Sequence, residues 1–441
     1  MSKKNDLEHT STMLGSQNMK SSQRMVSVVE PYELPEGWTW CRLGELAKFE
    51  RGITFPASAK EKEKNENNIP CLRTANVQEN IELEDLIYVN KSFMKNNIKK
   101  LIQNNDIVFS SANSRELVGK SAFISNVSFP MTFGGFILCI RATNSNSKFL
   151  FYFLRLHFLL GRFMGKSTQT TNIANINTET LSNIIIPLPP TLDEQQRIVN
   201  RIESMFAKLD EAKEKAQNVV DGFETRKAAI LHKAFTGELT AKWRKENGVN
   251  DDSWVVKTIG ECLIAISDKY DPQKDKIDGV QYIGLENIEA NGGIISTGDV
   301  SSVKSIKTLF KNNDLLYGKL RPYLNKHDIV EFDGICSTDI LVYRSKPEYE
   351  IKFFNYLFSQ NCFIQYAIEN SNGINLPRTS EKNISAYSQK IPTLPEQVEI
   401  VRILDIIIEK ETRAKEAAQT LLDQIALLKK SILARAFRGE M

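Results

Sequence analysis

The chain is 441 residues long, with 41% hydrophobic and 25% charged residues. These values exclude a disordered chain and allow two or three domains with cores of their own. The formal net charge of +3 is compatible with a nucleic-acid partner but does not indicate one.

Cysteine and histidine usage argues against a metal site. The six cysteines are scattered and never form CxxC, and none of the four histidines lies beside a cysteine in sequence. We therefore expect no structural zinc, and free thiols in a reducing compartment. The amino-terminal residues lack an apolar signal core, and no apolar run approaches the roughly 18 residues of a membrane span. These features predict a cytoplasmic protein with no membrane contact.

The first half of the chain begins with a polar segment and continues as a globule. Residues 1–33 are rich in Ser, Lys, Gln and Asn and are predicted to form a mobile arm. The first globule covers residues 34–187, in which short β-rich runs such as residues 106–109 alternate with polar loops. Residues 149–163 are predicted to form an apolar helix on that sheet, and residues 181–187 a final strand.

Residues 188–239 are predicted to form one long helix. Pro189 and Pro190 suit the first helical turn, acidic residues follow at the positive helix end, and Gly237 suits a left-handed cap. Apolar residues recur in a 4-3-4-3 pattern from Ile198 to Phe223. This pattern forms a narrow apolar seam that must pack on another helix.

The same organisation returns in the second half of the chain. Residues 240–253 are predicted to form a linker, residues 254–390 a second globule, and residues 391–441 a second long helix. Shifting the first helix by about 202 positions aligns the copies with roughly 20 identities in about 50 positions, which indicates an internal duplication. The globules correspond only in outline, as where Asn-Asn-Asp at residues 104–106 matches residues 312–314.

The helices have kept their surfaces while the globules have changed theirs. Two identical tasks for the helices and two different ligands for the globules explain this difference. Faster drift of globule surfaces is the alternative explanation.

Two matching seams in one chain predict that the long helices pair with each other. Parallel pairing would force the second globule to span a helix about 65 Å long, at 1.5 Å per residue, so antiparallel pairing is predicted. The alternative is that each helix packs only on its own globule. The expected fold is α/β (α+β): two globules separated by two long antiparallel coiled-coil helices, in a pseudo-two-fold internal repeat.

This layout resembles the specificity (S) subunit of type I restriction-modification enzymes over nearly the whole chain. The residues that carry the resemblance are the Leu-Pro-Glu-Gly-Trp entry at 34–38, the Glu-Gln pairs at 194–195 and 396–397, and the helix endings at 233–239 and 435–441. The resemblance implies two target recognition domains, each binding one half of a bipartite site in double-stranded DNA. It also implies that the helix pair sets the spacing of the half-sites and docks two methyltransferase (M) subunits.

The resemblance further implies that the chemistry takes place on partner subunits. The M subunits would hold S-adenosylmethionine and methylate adenine, while ATP and Mg would serve restriction (R) subunits, of which there would be two where they are present. We expect no catalytic site, metal or cofactor in this chain itself. Its sequence contains no Gly-rich phosphate loop and no Asn/Asp-Pro-Pro-aromatic methyltransferase motif.

Polar and basic loop residues are the candidates for DNA contact. Lys and Arg position the duplex through its phosphates, while Asn, Gln, Arg and Ser read base edges. The richest stretch, residues 317–326, interleaves cations with aromatic residues and a proline. For each candidate, the alternative is an ordinary solvated surface residue. The predicted DNA-binding residues are Ser111, Asn113, Ser114, Arg115, Lys120, Lys166, Gln169, Thr170, Asn172, Lys319, Arg321, Tyr323, Asn325, Lys326, Asn375 and Arg378.

Two other functions are weighed against DNA recognition. A coiled-coil adaptor that binds only proteins would lack salt-dependent DNA binding. An enzyme with an unrecognised site would show methyltransferase activity as a lone chain.

Overall fold

The computed structural model describes residues 32–170, 173–275, 280–300 and 303–441, which divide into two compact units. Unit 1 consists of residues 32–206 together with Lys429–Met441, and unit 2 is Ala207–Leu428. Each unit therefore combines a globule with parts of both long helices. The predicted arm lies outside the described residues except for Tyr32 and Glu33.

Unit 1 contains a mixed α/β globule followed by the start of the first long helix. Its helices are α1 Leu43–Leu46, α2 Ser147–Leu159, α3 Thr178–Ser182 and α4 Leu192–Asp221, the last of which continues into unit 2. Its strands are β1 Thr39–Arg42, β2 Ala47–Arg51, β3 Asn68–Leu72, β4 Ile87–Asn90, β5 Ile107–Ser110, β6 Ala112–Asn113, β7 Ser121–Phe123, β8 Thr132–Phe133, β9 Ile137–Ala142, β10 Thr168–Thr170, β11 Ile173–Asn175 and β12 Ile185–Leu188.

Unit 2 repeats this arrangement with its own globule. Its helices are α5 Phe223–Phe235, α6 Ala241–Glu246, α7 Ile259–Cys262, α8 Ile351–Phe358, α9 Asn361–Glu369, α10 Glu381–Ser385 and α11 Leu394–Ala436, the last of which ends in unit 1. Its strands are β13 Val255–Thr258, β14 Leu263–Ile266, β15 Lys269–Tyr270, β16 Gln281–Ile283, β17 Lys307–Phe310, β18 Leu315–Gly318, β19 His327–Ile329, β20 Gly334–Cys336, β21 Ile340–Ser345 and β22 Ser388–Ile391.

The central sheet has the same strand order in both units. It is β2-β9-β5-β7 in unit 1 and β14-β21-β18-β19 in unit 2, and all neighbouring strands are antiparallel. In unit 1 the apolar helix α2 covers this sheet, with Phe149, Leu150 and Leu154 fully buried in a shared core. The sheet therefore holds the loops at its strand ends on a rigid base.

The repeated Asn-Asn-Asp turn has a structural cause. Asn105 adopts a left-handed conformation with φ 68°, which an asparagine tolerates better than most residues. Asp106 then accepts from the Gln103 amide at 2.8 Å and pairs with Arg141 on β9 at 2.9 and 3.0 Å. Unit 2 repeats the turn with Asn313 at φ 70° and the bidentate pair Asp314–Arg344, both distances 2.7 Å.

The Glu-Gln pair at the start of each long helix contains a glutamine that makes the same contact in both units. Gln195 is buried, and its side-chain oxygen accepts from the backbone amide of Asn146, the N-cap of α2, at 2.8 Å. Gln397 accepts in the same way from the amide of Glu350, the N-cap of α8, at 2.9 Å. The glutamine thus joins each long helix to the apolar helix of its globule.

In unit 1, the end of α11 packs beside the start of α4. The Phe437 ring lies 4.9 Å from Phe149 in the globule core. The Lys429 ammonium lies 5.2 Å from the Phe206 ring, and Arg197 donates to the Met441 carbonyl at 2.8 Å. Later residues of α11 therefore lie beside earlier residues of α4.

In unit 2, the start of α11 packs beside the end of the first long helix with the same reversed order. Lys415 lies 4.4 Å from the Phe223 ring, and Glu411 pairs with Arg226 at 2.7 Å. Ala216 and Ala418 are both buried. Small side chains at this level allow close approach of helix backbones.

Three sequence expectations need correction. The first long helix is divided at Gly222, although Gly222 still donates to Asn218 at 3.1 Å and its carbonyl accepts from Arg226 at 3.0 Å. The predicted strand at residues 181–187 begins only at Ile185, because Leu181 belongs to α3.

The third correction concerns the predicted linker, which contains helix α6. Arg244 of this helix forms a buried ion pair with Glu396 at 2.6 Å. Glu396 also accepts from Thr240 at 2.7 Å and from the Trp254 indole at 3.1 Å. A buried carboxylate requires such partners, so the segment is part of the unit 2 core.

Candidate nucleic-acid interface

The structure brings the two candidate stretches of unit 1 together. Strands β10, β11 and β6 form a three-stranded sheet in which Gln169 lies opposite Ala174, and Ala174 lies opposite Asn113. The loop after β5 (residues 111–120) and the segment that carries β10 and β11 (described residues 164–170 and 173–176) therefore form one surface, here called loop pair 1. Asn172 lies outside the described residues.

Unit 2 joins its candidate stretches in the same way. Leu320 forms a β-bridge with Arg378, and the Arg321 amide donates to the Pro377 carbonyl at 2.7 Å. The loop of residues 319–326 and the loop of residues 371–379 are here called loop pair 2.

Matching backbone hydrogen bonds make the two loop pairs equivalent. The amide of Ser111 donates to Phe136 at 2.9 Å, and that of Lys319 donates to Asp339 at 2.8 Å. Each of these first residues accepts from the second loop, Ser111 from Ile176 at 2.8 Å and Lys319 from Thr379 at 3.0 Å. The two loop pairs therefore have the same backbone support.

The residues of the first loop in unit 1 differ widely in exposure. Ser111 is buried and its hydroxyl donates to the Phe136 carbonyl at 3.0 Å, so as placed it holds the loop rather than facing an outside ligand. Asn113 is half-buried, donates to Ser110 at 3.2 Å and accepts from the Ser114 amide at 2.9 Å. Arg115 is exposed on the turn.

The remaining candidates of loop pair 1 are basic or lie on β10. Lys120 is half-buried and bonds to the Gln78 side chain, while Lys166 is exposed. Gln169 and Thr170 lie on β10.

The first loop of unit 2 presents an aromatic and a cation to solvent. Tyr323 is 49% exposed, and Arg321 is exposed with a left-handed backbone at φ 52°. Lys319 is half-buried. Burial lowers the pKa of Lys319, and the nearby charges of Arg378 and Lys269 act in the same direction while Asp339 opposes them.

Two candidates in this loop have internal roles. Asn325 is buried and donates to the Phe358 carbonyl at 3.0 Å, so its side chain is not available to an outside ligand as placed. Lys326 donates to the Leu285 carbonyl at 2.7 Å, whereas Lys120 of unit 1 donates to the side chain of Gln78. Beside them, burial lowers the pKa of His327 to about 4, partly opposed by its hydrogen bond with Asn355.

The second loop of unit 2 is the more open one. Asn375 is exposed, and its neighbour Ile374 is 99% exposed. Arg378 keeps half of its side chain exposed and pairs with Asp339 at the start of β21. An arginine fixed by a carboxylate presents its remaining donors in a defined direction.

Sequence reasoning missed two residues at this surface. Phe136 and Asp339 occupy the equivalent position before β9 and β21, and neither carries a motif that marks it. Phe136 is 60% exposed. It also lines a cavity of about 620 Å³, together with Arg51, Lys60 and Arg73.

The described residues hold no cluster that suggests a metal centre. In that part of the chain, no three His, Cys, Asp or Glu side chains come together as a metal site requires. Among the helices of the same residues, none is long and apolar enough to cross a membrane.

Comparison with known proteins shows the family of the chain. The type I restriction modification DNA specificity domain matches residues 35–220 and 251–421, one match for each half of the duplication. The EcoKI specificity subunit of Escherichia coli (strain K12) is 26% identical over 432 residues, covering 93% of this chain and 90% of the relative. The StySPI specificity subunit of Salmonella potsdam is 24% identical, with the same coverage of 93% and 90%.

A solved structure supports the fold. The HsdS subunit from Thermoanaerobacter tengcongensis matches with a TM-score of 0.63 at 18% identity, covering 93% of this chain and 99% of that one. The family matches together span most of the chain. The chain therefore belongs to the type I restriction modification DNA specificity domain family.

Proposed function

We propose that this chain is the DNA specificity subunit of a type I restriction-modification system. Residues 34–187 and 254–390 act as two target recognition domains, each binding one half of a bipartite site in double-stranded DNA. The chain itself is not catalytic, and the chemistry belongs to two M subunits and, where present, two R subunits. The observation that carries this proposal is the family match, which covers each half of the chain separately.

The equivalence of the two loop pairs supports two separate recognition sites. The backbone bonds of Ser111 and Lys319 build the same support at the end of the central sheet in each unit. The side chains on that support differ, because unit 1 offers Asn113 and Arg115 where unit 2 offers Arg321 and Tyr323. A common backbone with different side chains is what two different half-sites require.

The two long helices are proposed to form the antiparallel coiled coil that sets the distance between half-sites, with a pseudo-two-fold relation between the halves. The reversed order of contacts within each unit supports this pairing, as do the buried Ala216 and Ala418. The exposed faces of residues 188–239 and 391–441 are proposed to dock the M subunits.

A protein-binding adaptor without DNA contact is less well supported, because the family match covers the globules as well as the helices. Methylome sequencing of cells that carry this chain and its M partners is the test. We expect methylated adenines in a motif of two defined parts separated by unspecified bases. A continuous motif, or no motif that depends on this chain, would contradict the proposal.

A further inference from the structure

Phe136 is an exposed aromatic side chain fixed at the edge of loop pair 1. Its ring is 60% exposed, although burial of an aromatic ring is strongly favourable. Its carbonyl accepts from both the amide and the hydroxyl of Ser111, at 2.9 and 3.0 Å. The backbone is therefore held by the sheet while the ring remains open to a partner.

The surroundings of Phe136 match the chemistry of DNA. The cavity beside the ring, of about 620 Å³, is also lined by Arg51, Lys60 and Arg73. Arg51 donates to the carbonyl of Gly135, the residue before Phe136, at 3.3 Å, so one of these cations is held beside the Phe136 backbone. Ile173 on β11, 42% exposed, adds a second apolar side chain to the same loop pair. Cations suit phosphates, and apolar groups suit the apolar parts of base edges.

The equivalent position in unit 2 is chemically opposite. Asp339 accepts from the Lys319 amide just as Phe136 accepts from Ser111, and its carboxylate pairs with Arg378. A carboxylate paired with an arginine can form hydrogen bonds with a polar base edge, whereas a phenyl ring packs on a methyl group. At this backbone position, unit 1 therefore carries an apolar side chain and unit 2 a charged one.

We propose that Phe136 is a specificity-determining residue that packs on the 5-methyl group of a thymine in the half-site bound by unit 1. This inference rests on the proposed function and deepens it. The thymine methyl is the one apolar group that a base pair presents in the major groove, and side chains such as Phe read it by contact. Asp339 takes the corresponding place in unit 2, where it positions Arg378.

The test replaces thymines by deoxyuridine, which removes the methyl group and keeps every hydrogen-bonding group. The full chain is purified with its M subunits, and Kd is measured on DNA with the methylome-defined site and with each half-site thymine replaced in turn. We expect one replacement to weaken wild-type binding about fourfold, the loss for one buried methyl group. Phe136→Ala should bind the unmodified site more weakly and show no further loss at that position.

Two matched variants keep the result interpretable. Phe136→Leu retains an apolar contact and should recover most of the affinity and the sensitivity to deoxyuridine. Ile98→Ala removes another exposed apolar side chain of unit 1, 72% exposed, and should bind like wild type. Circular dichroism checks that each variant is folded.

Several outcomes would overturn the inference. One is binding of Phe136→Ala with wild-type affinity. A second is weaker binding of Phe136→Ala with unchanged deoxyuridine sensitivity, which a side chain wedged between bases would give. A third is a unit 1 half-site that contains no thymine on either strand. Failure of the wild-type complex to bind any bipartite DNA would instead refute the proposed function. The two failures are therefore distinguishable.

Discussion

Lengthening both long helices by one heptad should lengthen the DNA spacer by a calculable amount. The change duplicates residues 212–218 and residues 414–420, which are equivalent positions of the internal repeat. Seven residues preserve the phase of the apolar seam and add about 10.5 Å at 1.5 Å per residue. With a rise of about 3.4 Å per base pair, the half-sites should move apart by about three base pairs.

The assay is methylome sequencing of cells that express the lengthened chain with its M subunits. The half-site sequences should stay the same, while the number of unspecified bases between them rises by about three. Methylation is expected to be slower, because three base pairs also rotate the duplex by nearly a third of a turn. Inserting the heptad in one helix only is the control, and it should disrupt assembly by displacing contacts such as Arg226–Glu411. An unchanged spacer in the doubly lengthened chain would refute the proposal that the helices set the distance.

Two further predictions concern stability, both measured by chemical denaturation. Arg244→Met leaves Glu396 buried without its cation and should cost roughly 3–5 kcal/mol. Arg413→Met removes an exposed ion pair with Glu409 on α11 and should cost less than about 1 kcal/mol. Equal losses in the two variants would contradict the buried role of Glu396. Because burial lowers the pKa of His327 to about 4, the unfolded chain binds more protons between about pH 4 and 6.5. The free energy of unfolding therefore keeps the full contribution of His327 above pH 6.5 and loses up to about 3 kcal/mol as the pH falls towards 4. His327→Gln should reduce this loss. An unchanged pH dependence of the free energy of unfolding in that variant would contradict the prediction.

Comparison of the two halves of the sequence predicts contacts that both halves make, but it does not predict the buried contact of Arg244 in unit 2. The Glu-Gln pairs appear twice because Gln195 and Gln397 make the same buried contact, and internal comparison detects such contacts. Helix α6 has a polar sequence that is typical of a linker. Only the structure reveals that Arg244 is buried beside Glu396.

The candidate interface was predicted at the level of loops rather than of side chains. Polar and basic residues cluster at residues 111–115 and 319–326, and each of these loops meets a second candidate loop. Their polarity does not reveal which side chains point inward, so Ser111 and Asn325 were included although they are buried. Phe136 was missed because a single apolar residue before a strand has the sequence signature of a core residue.

Independent recognition of one half-site by each unit is the basis of the proposed function. Its most direct measurement is the methylated motif obtained with Asn113→Ala in loop pair 1 and, separately, with Arg378→Ala in loop pair 2. Independent recognition predicts that each substitution relaxes one half of the motif and leaves the other half and the spacer unchanged. Relaxation of both halves by either substitution would contradict it.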